Sequence, residues 1–185
     1  MRNVLFVISG PSGVGKGTVA KKVCEDIKNV SLSISCTTRR PRVGEENGKD
    51  YFFISKEDFI SRIGNGDFLE YSNHFENYYG TPKSFVLDKL KTRDVLLEID
   101  VNGGISVKKA FPEAVLIMLL PPDIETLKSR LKGRGTESDD KIAERIERVD
   151  YELGKKDLYD YTVVNDDLGE TVKNIEKILK SEKLK

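Results

Sequence analysis

Val4-Leu5-Phe6-Val7-Ile8-Ser9-Gly10-Pro11-Ser12-Gly13-Val14-Gly15-Lys16-Gly17-Thr18 stands near the start of the chain, and its reading decides the fold. The unbroken apolar run Val4 to Ile8, stopped by Ser9-Gly10-Pro11, predicts a strand buried on both faces of a parallel sheet. A helix is expected from about Gly15 to Lys28. A glycine-rich turn between a strand and a helix, with the spacing Gly10-x4-Gly15-Lys16, is the context that makes a phosphate-binding loop credible. The glycines let the backbone N–H groups of Ser12, Gly13 and Val14 turn inward around phosphate oxygens, and the helix N-terminus adds partial positive charge. Lys16 then reaches the β- and γ-phosphates of a nucleoside triphosphate. The residue after the lysine is Gly17, so the hydroxyl usually assigned to Mg²⁺ is missing there. Either Thr18 serves the metal, or Mg²⁺ keeps more of its waters, in keeping with its reluctance to dehydrate.

Outward from this stretch, strand signals at Val30 to Ser35, Val95 to Ile99, Ala114 to Leu120 and Tyr161 to Val164 alternate with helical stretches, with Asp123 and Asp166 or Asp167 as N-caps. That rhythm implies an α/β fold, a parallel sheet covered by helices. Between Thr37 and Lys91 it breaks into short strand signals at Tyr51 to Ile54, Asp67 to Tyr71 and Phe75 to Tyr79, which reads as a small α+β insertion. Gly133 to Asp140 reads as a polar loop between two helices, the second presenting Ile142, Ile146, Val149 and Leu153 on one face, as suits a lid. The expected organisation is a core of residues 1–36, 92–129 and 157–185, an insertion lobe of 37–91 and a lid of 130–156.

Lys plus Arg number 31 and Asp plus Glu 31, so no bulk charge draws the chain to nucleic acid or anionic lipid, and any bound anion must be held locally. The longest apolar runs are too short to span a bilayer and no secretory leader is evident, which gives a cytoplasmic expectation by default. No obligate protein partner is indicated. Cys24 and Cys36 are too few for a disulfide framework and read as reduced thiols.

The loop specifies only the triphosphate, so the acceptor must be sought in the insertion. Arg39 and Arg42 lie close together just after a strand signal, with Pro41 holding Arg40 extended, and a second phosphate could sit there. Guanidinium groups bind phosphate bidentately, and Tyr51 and Tyr79 offer phenolic donors to the same dianion. A solvated basic loop beside two core tyrosines is the plainer alternative.

Gly10 to Thr18, Ser33 to Arg39, Pro41-Arg42, Gly48 to Tyr51, Asn77 to Thr81, Leu97 to Asp100, Gly133 to Glu137 and Val164 to Leu168 together resemble the guanylate kinase family, in that family's order. The resemblance implies a P-loop core with a GMP-binding lobe and a helical lid, and MgATP-dependent phosphorylation of GMP, with dGMP as a further acceptor. It also implies that Ser35, Glu70 and Thr81 face guanine while Arg39, Arg42, Tyr51 and Tyr79 hold the GMP phosphate, and that Asn165 belongs to the ATP site. Departures from the commoner pattern are Gly17, Asn102 where glutamine is usual, and Cys36 where serine is common.

These residue types suit the chemistry. Guanine presents N1–H and N2–H₂ as adjacent donors, which the Glu70 carboxylate can accept together, whereas adenine presents a lone pair there. No general base is needed, because the attacking phosphate oxygen, with a second pKa near ~6, is largely ionised at neutral pH. Catalysis then rests on positioning and on neutralising charge with Lys16, Mg²⁺ and arginines, for which Arg39, Arg130, Arg134 and Arg145 are the candidates and Arg148 a weaker one. Glu98 and Asp100 can orient Mg²⁺ waters or the arginines on the GMP side. Two other readings compete: an adenylate-kinase-like enzyme, which shares the Gly15 to Thr18 string, and a guanylate-kinase-like module that binds without catalysis. Glu70 argues against the first, and the intact Lys16 and glycine loop against the second.

Overall fold

The fold is described from a computed structural model, over residues 2–74, 76–133 and 147–185. The apolar run forms β1 (Leu5–Ser9), buried at all five positions. With β2 (Val30–Leu32), β7 (Asp94–Glu98), β8 (Val115–Leu120) and β9 (Tyr161–Val164) it builds a sheet of order β2-β7-β1-β8-β9, with every pairing parallel. Alternate side chains of the central strand leave on opposite faces. Phe6 and Ile8 join Val19 and Val23 of α1 (Lys16–Asp26) and Ile175 and Leu179 of α7 (Leu168–Glu182) on one side. Leu5 and Val7 join Val86 of α3 (Lys83–Leu90) and Val101 and Val107 of α4 (Val101–Ala110) on the other. Because both faces are covered, the inner strands β1, β7 and β8 are mostly apolar, each buried side chain worth about 1.5 to 3 kcal/mol, whereas the edge strands β2 and β9 are only partly buried. This makes the C-terminal ends of β1 and β7 a rigid platform for the loops above them.

The strand signal at Val30 to Ser35 is shorter in the structure. β2 ends at Leu32, although the Ser33 N–H still donates to Leu96 O at 2.9 Å, and the chain then leaves for a second sheet. That sheet has the order β4-β3-β6-β5, from β3 (Cys36–Thr37), β4 (Phe52–Phe53), β5 (Phe68–His74) and β6 (Asn77–Pro82). β5 and β6 pair antiparallel, extending the expected strands, and Phe75 lies outside the described residues. Helix α2 (Lys56–Gly64), capped by Ser55 Oγ on the Asp58 N–H, covers this sheet through Phe59, whose ring stacks on Phe68 at 4.4 Å and Tyr78 at 5.3 Å.

α5 (Ile124–Gly133) begins where Asp123 accepts from the Thr126 N–H at 2.6 Å, and α7 where Asp167 accepts from the Glu170 N–H at 2.9 Å, so Asp167 takes the cap. The helical residues 147–153, here α6, bury Val149 in the α1 face of the core with Leu153 packed beside it. Ile142 and Ile146, expected on the same face, lie outside the described residues. No helix among the described residues is long and apolar enough to cross a membrane.

Candidate active site

The loop after β1 is held from below. Val14 is fully buried, and its carbonyl accepts from Asn165 Nδ2 at 2.7 Å, just beyond β9. Arg130 on α5 donates from Nη1 to Asn165 O at 3.1 Å. Asn165, expected at the ATP site, and Arg130, expected among the charge-neutralising arginines, thus brace the floor of the loop. Gly15 has φ 98° and caps α1, where a Cβ would lie 2.6 Å from Asn165 Nδ2; only glycine passes there without displacing that brace. No side chain caps α1, which leaves its first N–H groups to an anion. Lys16 Nζ donates to Gly10 O at 2.7 Å and Pro11 O at 3.2 Å, folded back on the loop.

A cleft of about 270 Å³ lies above this loop. Gly10, Ser12 and Lys16 line one end, Ser35, Tyr51, Glu70 and Tyr79 the other, and Glu98 and Asp100 the floor. Glu70, on β5, is 6% exposed, and Thr81 Oγ1 on the adjacent strand donates to its Oε1 at 2.6 Å. The close approach of β5 to α4 depends on Gly103, where a Cβ would sit 3.0 Å from Glu70 Oε2. Asp100 caps α4, accepting from the Gly103 N–H at 3.0 Å at Oδ1 and from Ser72 Oγ at 3.2 Å at Oδ2.

Arg39 pairs with Glu45 at 2.8 Å, and its guanidinium lies 5.5 Å from the Tyr51 ring centre and 5.9 Å from that of Phe53. Burial, with the nearby Glu98 charge, pushes the Tyr51 phenol up to about 12, so it stays a donor at neutral pH. Arg42 is exposed, and its N–H donates to Glu45 Oε2 at 2.7 Å. Arg134 and Arg145 lie outside the described residues.

One cleft therefore joins an anion loop to a buried carboxylate and two phenols, and Arg39 lies outside its lining, beside Tyr51. The family model of guanylate kinase matches residues 2–182. The chain belongs to the guanylate kinase family. It is 49% identical over 183 residues to the guanylate kinase of Caldanaerobacter subterraneus, covering 98% of this chain and 89% of that one. It is 47% identical to that of Oceanobacillus iheyensis, covering 100% and 90%. The crystal structure of guanylate kinase from Anaplasma phagocytophilum matches with a TM-score of 0.83 at 34% identity, over 100% of this chain and 88% of that one.

Within this guanylate kinase fold, three residues that the sequence reading passed over enter the site. Glu45 bridges Arg39 and the Arg42 backbone, and the Arg39 hydrogen bond holds its carboxyl below the usual range. In the sequence it is one of two adjacent acids in a charged loop, with nothing to single it out. Ser72 supports Asp100, and its place on β5 two residues after Glu70 was the available signal. Glu152, on α6, lines the cleft together with Ser12 and Lys16. Burial pushes its carboxyl up, against the pull of Lys16 and Arg148. An acid three residues after Val149, on the buried side of a helix, was legible and was not used.

Gly17 faces the Glu98 carboxylate, with 3.7 Å from its would-be Cβ to Oε2, whereas Thr18 is exposed and lines neither of the two clefts beside the loop. Among the described residues no group of three His, Cys, Asp or Glu side chains is poised to cage a metal. The oxygen donors Glu98 and Asp100 suit a Mg²⁺ that keeps its waters and arrives with ATP phosphates. Asn102 accepts from Lys155 Nζ at 2.6 Å, tying α4 to the end of α6. Cys24 and Cys36 are free thiols, and burial pushes Cys24 up to about 11, which leaves it inert at neutral pH.

Proposed function

We propose that this guanylate kinase transfers the γ-phosphoryl group of MgATP to a phosphate oxygen of GMP, and of dGMP, in the cytoplasm. The observation that carries the reading is the shared cleft, with Lys16 and the loop amides at one end and the Glu70–Thr81 pair at the other. The loop amides and Lys16 bind the triphosphate, with Asn165 and Arg130 keeping the loop in shape. Residues 37–91 act as the GMP lobe and 130–156 as the lid, whose Arg134 and Arg145 are the candidates to neutralise charge on the transferring group. Glu70 accepts N1–H and N2–H₂ of guanine, Thr81 orients Glu70, and Ser35 meets the ring edge. Arg39, Arg42, Tyr51 and Tyr79 hold the acceptor phosphate, with Glu45 fixing Arg39. Mg²⁺, brought with ATP, would neutralise charge on the phosphates, and Glu98 and Asp100, which line the cleft where Thr18 does not, are the residues that would orient its waters. Displacement is in line and needs no base, since the acceptor oxygen is already ionised. The two free thiols fit a reducing compartment.

The test is a comparison of GMP, dGMP, AMP and UMP as acceptors in the parent and in Glu70→Gln. The amide turns one of two acceptor oxygens into a donor facing a donor, which should cost about 2 to 4 kcal/mol, or roughly thirtyfold to a thousandfold in GMP efficiency, with AMP little changed. An unchanged GMP-to-AMP ratio would mean that Glu70 does not read the base.

A further inference from the structure

Val101-Asn102-Gly103-Gly104 opens α4 with two glycines in its first turn, although glycine is a poor helix former. Each answers to a different neighbour. A Cβ at Gly103 would crowd Glu70, whereas a Cβ at Gly104 would lie 2.5 Å from the Tyr159 hydroxyl and 2.8 Å from Ser9 Oγ. Two hydroxyls therefore pass over the bare backbone of Gly104 to reach carbonyls one turn earlier. Ser9 Oγ donates to Asp100 O at 3.2 Å and Tyr159 Oη to Val101 O at 3.0 Å. A third grip comes from Lys155 Nζ, which donates to Asn102 Oδ1 at 2.6 Å. Three successive residues at the start of α4 are thus held from outside their own helix: Asp100 by the last residue of β1, and Val101 and Asn102 by the segment between α6 and β9. Ser9 is wholly buried, Tyr159 is 8% exposed, and neither lines the cleft. Burial pushes the Tyr159 phenol up, so it remains a donor at neutral pH. The group of this turn that does meet the cleft is the Asp100 carboxylate, held by the Gly103 N–H and by Ser72 Oγ.

We propose that Ser9 and Tyr159 are positioning residues, which fix the first turn of α4 against the root of the phosphate loop and so aim the Asp100 carboxylate into the cleft. This rests on the reading of Asp100 as a member of the reaction site. An aspartate side chain is short, so a shift of its backbone passes almost undiminished to the carboxylate, and a misplacement of about 1 Å can cost about 10²-fold in rate. Without either hydroxyl the turn keeps its own helical bonding, with the Gly104 N–H on Asp100 O at 3.0 Å, and loses one of its ties to the core. The expected defect is one of aim and not of folding.

Single-turnover phosphorylation of GMP at saturating MgATP tests this in Tyr159→Phe, Ser9→Ala and Asp100→Asn and in the two double variants that contain Asp100→Asn. High enzyme concentration keeps slow forms measurable. Asparagine caps a helix as well as aspartate does, so Asp100→Asn removes the charge and leaves the turn in place. Tyr159→Phe and Ser9→Ala should each slow the parent roughly tenfold at a temperature where circular dichroism shows them folded, but slow Asp100→Asn by less than about twofold. In the absence of nucleotide, amide exchange at Gly103, whose N–H the Asp100 carboxylate holds, should quicken in both hydroxyl variants while protection of β1 stays at the parent level. Parent rates in both hydroxyl variants, with Asp100→Asn slow, would overturn the proposal, because the hydroxyls would then be scaffolding alone. Equal losses with and without the Asp100 charge, or unchanged exchange at Gly103, would overturn it as well, placing the effect on another group. If Tyr159→Phe does not fold, Ser9→Ala decides by the same comparison. Asp100→Asn at the parent rate would instead overturn the reading of Asp100, and the proposal with it.

Discussion

Glu45 takes the Arg39 guanidinium on one oxygen and the Arg42 N–H on the other, so one carboxylate sets the position of both arginines. Its carboxyl is held below the ordinary value by the Arg39 hydrogen bond, which means that the folded state binds its proton less readily than the unfolded chain. The stability this contributes is present above the unfolded value and is lost as pH falls through the folded one. Between about pH 5 and pH 3 the melting temperature of the parent should fall more steeply than that of Glu45→Gln, and the two slopes should coincide above about pH 6. Because Glu45 acts through Arg39, the same variant should raise KM for GMP several-fold with little change in KM for ATP. Parallel acid limbs, or a loss confined to kcat, would rule out that role.

At the scale of elements, the junction of β1 and α1 is where backbone geometry and chemistry meet. Gly15 and Gly17 look alike in the sequence but are distinct in the structure. At Gly15 a side chain would face a positive φ and the Asn165 amide at 2.6 Å, whereas at Gly17 it would enter ordinary helix with its nearest neighbour 3.7 Å away. Gly15→Ala should therefore lose about 1 to 2 kcal/mol from backbone conformation alone, more if Asn165 is displaced, together with a raised KM for ATP. Gly17→Ala should fall within about 0.5 kcal/mol of the parent. Urea midpoints for the pair decide the matter, and equal values would mean that the loop relaxes around an alanine at 15.

Over the whole molecule, two sheets share one cleft, and the chain crosses between them at Ser33 to Ser35 and returns through α3. Lys21 of α1 lies 3.6 Å from Asp50 of the second sheet's loops, a long pair with an exposed lysine that is worth little by itself. The bound nucleotides must then supply the force that brings the second sheet over the phosphate loop, which would exclude water from the transferring group. With ATP and GMP sites both filled, the radius of gyration in small-angle scattering should fall toward about 16 Å, the value for a compact chain of this length. An unchanged radius with both sites filled would argue against closure.

The sequence by itself determined the elements whose signals are local. The apolar runs Val4 to Ile8, Val95 to Ile99 and Ala114 to Leu120 became the inner strands of the parallel sheet because continuous burial demands continuous hydrophobicity, and Gly10 to Lys16 marked the anion loop because backbone N–H groups converge only where side chains are absent. Tyr51, Glu70 and Tyr79 could be singled out by residue type, and the fold brings all three to the lining of one cleft. What the tertiary structure decided are the partnerships across distance. Glu45 could not be told from its neighbour Glu46 until the loop folded back on Arg39. Glu152 joined Ser12 in the lining of one cleft only when α6 docked on the core, 140 positions along the chain from that serine. Strand β2 stops at Leu32, short of a strand signal that runs to Ser35, and the chain goes on to pair Cys36 and Thr37 with Gly80 and Tyr79 in the second sheet. Local periodicity records which face a residue turns to the core, but a hydrogen bond between distant segments leaves no trace in spacing.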